Sequence, residues 1–134
     1  MKHLLDTNTC IRYLNGSSVS VFERLDSLPE SEIVVCSIVK FELHYGALRS
    51  NRTDKTLEQQ ATFLQRFRSL PFDDSAHQHA SQIRADLARA GTPIGPYDLL
   101  IAAIALANNL TLVTHNTREF SRVNGLHLED WEVD

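Results

Sequence analysis

The chain has 134 residues, of which 43% are hydrophobic and 22% charged, with a formal charge of −4. Length and mix suit one globular domain, residues 1–134, and exclude a disordered tail. Two cysteines, Cys10 and Cys36, make neither a disulfide framework nor a zinc spacing.

The first 20 residues lack the apolar centre of a signal peptide. The longest apolar run, Leu99–Ala107, is too short to span a bilayer. A soluble protein of the reducing cytoplasm, with no membrane partner, is therefore expected. The negative charge is uneven. Residues 119–134 carry five acids and one base, whereas residues 1–118 carry twelve of each. From Lys40 to Arg68 six bases face three acids, and ten of the chain's thirteen bases are arginine. An acidic total thus leaves room for RNA, bound through a local basic face.

His3–Asp6 reads as a short apolar strand ending in an acid. Thr7–Asn15 reads as a helix, closed by Asn15-Gly16-Ser17. Val19–Leu28 is a second helix stopped by Pro29. Ile33–Cys36 is a buried strand, and Ser37 is placed to cap a helix from Ile38 to Arg49. Thr53–Ser69 and Ser75–Ala90 are longer helices, the latter closed by Gly91. Pro96–Asn109 is a helix with proline in its first turn. Leu110–Thr114 is a strand, and Leu126–Leu128 a last edge strand. Apolar strands alternating with helices predict an α/β fold: a parallel sheet covered on both faces. Ligands of such folds bind beyond the carboxyl ends of the strands.

Four polar residues meet that placement. Asp6 ends the first strand, Glu42 lies early in the helix after the second, Asp98 lies in the first turn after Pro96, and Asn116 follows Leu110–Thr114. Each has a plain structural alternative: Asp6 as a helix cap, Asp98 as a helix-dipole partner, Glu42 as a solvated side chain, and Asn116 as a turn residue. Taken together, three carboxylates at one sheet edge repel one another. Mg²⁺ or Mn²⁺ relieves that repulsion, takes oxygen ligands and retains water. Phosphodiester hydrolysis is the chemistry that follows.

The segments LLDTNTCIRYLNG (4–16), SIVKFELHYG (37–46), GTPIGPYDLLIAAIALANNLTLVTHNTREF (91–120) and LEDW (128–131) resemble the PIN domain. Within it they resemble the VapC toxins of bacterial toxin–antitoxin pairs, and GPYD with the REF and EDW endings is most similar to the subgroup that cuts initiator tRNA in its anticodon region. The resemblance implies a three-layer sandwich around a twisted parallel sheet of four or five strands. It implies a Mg²⁺-dependent endoribonuclease (Mn²⁺ being the other candidate ion) in which Asp6 and Asp98 hold the metal and Glu42 completes the pocket. Many family members carry a fourth acid where this chain has Asn116, and Glu119, one turn on, is a possible substitute with a solvated role as its alternative. A VapB-type antitoxin and a homodimer are the implied protein partners.

RNA contact is expected from Arg49, Arg52 and Lys55, with Arg66 and Arg68 further along; a solvated face is the alternative for each. Phe63, Leu64 and Phe67 suit either an interface or the core. His77 and His79 point to different sides of a helix and make no metal pair. His115, beside Asn116, is within reach of a phosphate, although metal-assisted hydrolysis needs no imidazole. Two other readings compete. One is a PIN-fold binding module with impaired catalysis, which Asn116 permits. The other is a small phosphohydrolase with Asp6 as nucleophile, which lacks the required lysine because only Lys2, Lys40 and Lys55 exist.

Overall fold

The computed structural model describes residues 2–133. Met1 and Asp134, the ends of the expected 1–134 domain, lie outside the described residues. The chain runs β1 (His3–Leu5), α1 (Thr7–Asn15), α2 (Val19–Asp26), a 3-10 turn (Glu30–Glu32), β2 (Ile33–Cys36), α3 (Ser37–Arg49), α4 (Thr53–Leu64), β3 (Arg68–Leu70), α5 (Asp74–Ala90), α6 (Pro96–Ala107), β4 (Thr111–Val113), α7 (Thr117–Phe120) and β5 (Leu128–Glu129). The strands form one sheet in the order β3-β2-β1-β4-β5, with every pairing parallel. β1 and β2 are buried at every residue, as strands covered on both faces must be.

Strand order reverses at β1. The chain builds outward through β2 and β3, then returns to place β4 on the other side of β1. The crevice beyond the carboxyl ends of β1 and β4 is the switch point where such sheets bind ligands. Two hydrogen bonds join the two ends: the Asp6 N–H donates to the Val113 carbonyl at 3.1 Å and the Thr9 hydroxyl to the same oxygen at 3.2 Å.

Several expected boundaries change. The expected helix Thr53–Ser69 ends at Leu64, and Arg68–Leu70 pairs with Val34–Cys36 as the edge strand β3. Phe67 turns down into the core beside Phe63, their rings 5.2 Å apart, and Arg66 is pinned by Glu30 and Tyr13, which redirects the chain. Ser37 is the first residue of α3 rather than its cap; Cys36 holds the cap position with no side-chain bond, and the Ser37 hydroxyl donates instead to the Leu70 carbonyl at 3.4 Å. The last strand forms at Leu128–Glu129, where β4 offers partners, rather than at Leu126–Leu128. α2 stops at Asp26 and α6 at Ala107, while α5, capped by Asp73, starts at Asp74, one residue ahead of the expected Ser75. Phe63 and Phe67 are core and Leu64 packs against it. Both cysteines are buried and free. No helix among the described residues is long and apolar enough to cross a membrane.

Candidate active site

Asp6 follows β1 and caps α1. One carboxylate oxygen accepts the Thr9 N–H at 2.8 Å, so the capping role and a place at the switch point belong to the same side chain. It is buried, and burial pushes its carboxyl up; the Thr114 hydroxyl and the Thr9 amide pull it back only in part. Glu42 reaches the same end of the sheet from α3, where it accepts the Thr7 hydroxyl at 2.6 Å. That bond fixes one Glu42 oxygen against the first residue of α1.

Asp98 stands in the first turn of α6, entered through Pro96. Its carboxyl is pushed up to about 6, first by burial and then by the charges of Glu119, Glu42 and Asp6. Carboxylates from three other elements thus bear on Asp98. Gly95 makes the crowding possible. A Cβ there would meet an Asp98 carboxylate oxygen at 3.2 Å, so a side chain would press directly on the acid.

Asn116 stands beside the carboxylates, in contact with the fourth of them, Glu119. It is exposed after β4, and its side-chain amide donates to Glu119 at 2.9 Å. The other Glu119 oxygen accepts the Gly95 N–H at 2.8 Å, and these two bonds hold its carboxyl below the usual range. Glu119 is thus an oriented carboxylate rather than a loose solvated one. The REF spacing, one turn past Asn116, is the signal that marks it.

Among the described residues, none of Asp6, Glu42, Asp98 and Glu119 forms a salt bridge. Nor do any three His, Cys, Asp or Glu side chains there converge into a ready metal cage. None of the four acids has an ion-pair partner within 4.0 Å among the described residues, and the other three all raise Asp98. Their oxygen-only chemistry fits a hard divalent cation such as Mg²⁺, which needs only one or two carboxylates.

The remaining expected residues divide cleanly. Arg49, Arg52 and Lys55 are exposed at the α3–α4 junction, and the Arg49 guanidinium lies 5.7 Å over the Tyr45 ring. Arg66 is bound to Glu30, Asp26 and Tyr13, which makes it a structural clamp. His77 and His79 are exposed on α5. His115 bonds Asp130 through Nδ1 at 3.0 Å, and Trp131 packs the tail down on His3.

A family model described as "PIN domain" matches residues 3–126. The chain is 43% identical over 131 residues to a tRNA(fMet)-specific endonuclease VapC of Shigella flexneri, covering 98% of each. It is 36% identical to Ribonuclease VapC2 of Rickettsia felis, covering 98% of this chain and 99% of that one. Among solved structures, DNA-bound VapBC from Salmonella typhimurium matches with a TM-score of 0.92, 43% identity and 98% coverage of each chain. By sequence and by fold, the chain belongs to the PIN-domain family and, within it, to the VapC branch.

Proposed function

We propose that this protein is the toxin of a toxin–antitoxin pair, a metal-dependent endoribonuclease that cuts tRNA, with initiator tRNA as the first candidate substrate. The observation that carries the reading is the set of four unneutralised carboxylates at the switch point of a VapC-type PIN fold. Ribonuclease names among its relatives support the activity, and the tRNA(fMet) names support the substrate.

Asp6 and Asp98 are the residues to hold Mg²⁺ or Mn²⁺. When bound, that cation supplies charge neutralisation at the phosphodiester and a lowered pKa for attacking water. Glu42, anchored by Thr7, is placed to orient that water through its second oxygen. Glu119 adds the fourth negative charge, and Asn116 holds it in place. An acid in that position supports the active enzyme over a binding module with impaired catalysis. Asp6 has no ion-pair partner among the described residues, so the phosphohydrolase reading lacks its lysine. Arg49, Arg52 and Lys55 are exposed and free to meet phosphates.

The VapBC titles of the structural neighbours support a VapB-type antitoxin as partner, and a homodimer is the proposed state of the toxin. Exposed Ile11, Val19 and Phe22 on α1 and α2 offer apolar ground for a protein partner. The cytoplasm, where tRNA is found, is the proposed site of action. The test is cleavage of bulk bacterial tRNA by the purified protein, in Mg²⁺, Mn²⁺ or EDTA, beside Asp98→Asn. Discrete fragments that require both metal and Asp98 are expected. Folded, antitoxin-free protein that cuts nothing with either metal would favour the binding module.

A further inference from the structure

His115 stands in the middle of a short turn whose two flanks each hold a carboxylate of the pocket. On one flank the Thr114 hydroxyl bonds Asp6 and also accepts the Asn116 N–H at 3.0 Å. On the other the Asn116 amide donates to Glu119 at 2.9 Å. The imidazole itself is placed by the tail. Its Nδ1 lies 3.0 Å from an Asp130 oxygen and 3.9 Å from a Glu132 oxygen, and the Glu132 charge bears on Asp6. The ring therefore flanks the acid pocket on the side where the tail passes.

The tail also fixes how the ring is presented. The second Asp130 oxygen accepts the Glu132 N–H at 2.9 Å, and Arg12 Nε lies 3.4 Å from Glu132. The Asp130 and Glu132 side chains are 15% and 17% exposed, whereas the imidazole is 58% exposed. A carboxylate oxygen only accepts, so Nδ1 carries the hydrogen of the Asp130 bond. In the neutral ring Nε2 is then an acceptor, and it makes no hydrogen bond among the described residues.

Charge decides what this acceptor meets. Phosphate oxygens are acceptors as well, and Asp130, Glu132 and Asp6 repel them, with Arg12 answering only one of the three. A hydroxyl brings a donor and no charge, and the 2′-hydroxyl is the donor that RNA carries on every ribose. We infer that His115 Nε2 accepts a hydrogen bond from a ribose 2′-hydroxyl of the bound strand, with Asp130 as the positioning residue that sets the ring. The inference rests on the endoribonuclease reading and adds to it a means by which the site tells RNA from DNA.

The test is anisotropy in EDTA, so that no strand is cut, on a fluorescein-labelled anticodon stem-loop of initiator tRNA. The stem-loop is made once with ribose and once with 2′-fluoro sugars throughout. Fluorine keeps the RNA-like sugar pucker and removes the hydroxyl hydrogen, so the two strands share shape and phosphate charge. The readout is the ratio of their dissociation constants. Wild type should favour the ribose strand, and His115→Ala should reduce that preference about fivefold. His115→Gln, which keeps an acceptor oxygen, should retain the preference, whereas His115→Phe, which keeps only the ring shape, should lose it. Asp130→Ala should reduce the preference when His115 is present and change nothing in His115→Ala. A preference unchanged in His115→Ala would overturn the inference, as would no wild-type preference for the ribose strand. Equal weakening of both strands by His115→Ala would also overturn it, and would assign the imidazole to a phosphate. Failure of the endoribonuclease reading is recognised separately, as absence of metal-dependent tRNA cleavage by the wild type.

Discussion

The sheet holds partly buried acids in two settings that meet the same electrostatic problem in opposite ways. At the carboxyl ends of β1 and β4, Asp98 is driven up to about 6 by burial and then by Glu119, Glu42 and Asp6. On β5, burial also pushes Glu129 up, but hydrogen bonds from Trp131 and His3 and the nearby charge of Arg24 outweigh it and leave the carboxyl below its usual range. Glu129 has three partners, at 3.0, 3.1 and 3.3 Å. The Asp98 carboxylate has no hydrogen bond or ion pair among the described residues. An acid held by cations and donors fastens the tail; an acid surrounded by acids costs stability, a cost that a bound cation would relieve.

Substitutions can sharpen or break that contrast. The largest expected effect is on cleavage: Asp98→Asn should lower the rate on tRNA by at least about a hundredfold, whereas Glu129→Gln should leave it within about twofold. Thr7→Val, which removes the donor that fixes Glu42, should lower cleavage about tenfold with the metal requirement retained. If Thr7→Val cleaves like wild type, Glu42 is not held for catalysis by that bond.

Stability should follow the reverse order. Glu129→Gln should destabilise the protein by about 1–2 kcal/mol at pH 7, measured by urea unfolding. Because Glu129 titrates below 4.5 in the folded state, that loss should fade as pH falls through the folded value. Asp98 has the opposite sign. Its folded value is above the ordinary 3.8, so its ionisation penalises the fold above about pH 6 and the penalty disappears below pH 4. Asp98→Asn should therefore stabilise the metal-free protein by about 1 kcal/mol at pH 7.5, the full shift being reduced by solvent screening at a half-buried site. No gain at pH 7.5, or the same gain at pH 4, would show that Asp98 does not carry the strain assigned to it.

The contrast was partly legible in the sequence. β1, β2 and β4 are short apolar runs, and the acids at or after their ends stood out because parallel sheets bind ligands there. β3 was hidden: Arg68-Ser69-Leu70 has one apolar residue, and only pairing with Val34–Cys36 makes it a strand. The role of Glu119 was hidden for the same kind of reason. It depends on a reach back to the Gly95 N–H across 24 positions, which no local pattern encodes. The position of Asn116 is legible after β4, but the bond from its amide to Glu119 shows only in the fold.

The central claim is that the acids of the switch point stand unneutralised because they await a divalent cation. Thermal unfolding at pH 7.5 with and without Mn²⁺, on the wild type and Asp98→Asn, tests it without any RNA. At a hundredfold excess over its dissociation constant, the ion should stabilise the wild type by about 2.7 kcal/mol and the variant far less. An equal shift in both proteins, or none in the wild type, would contradict the account.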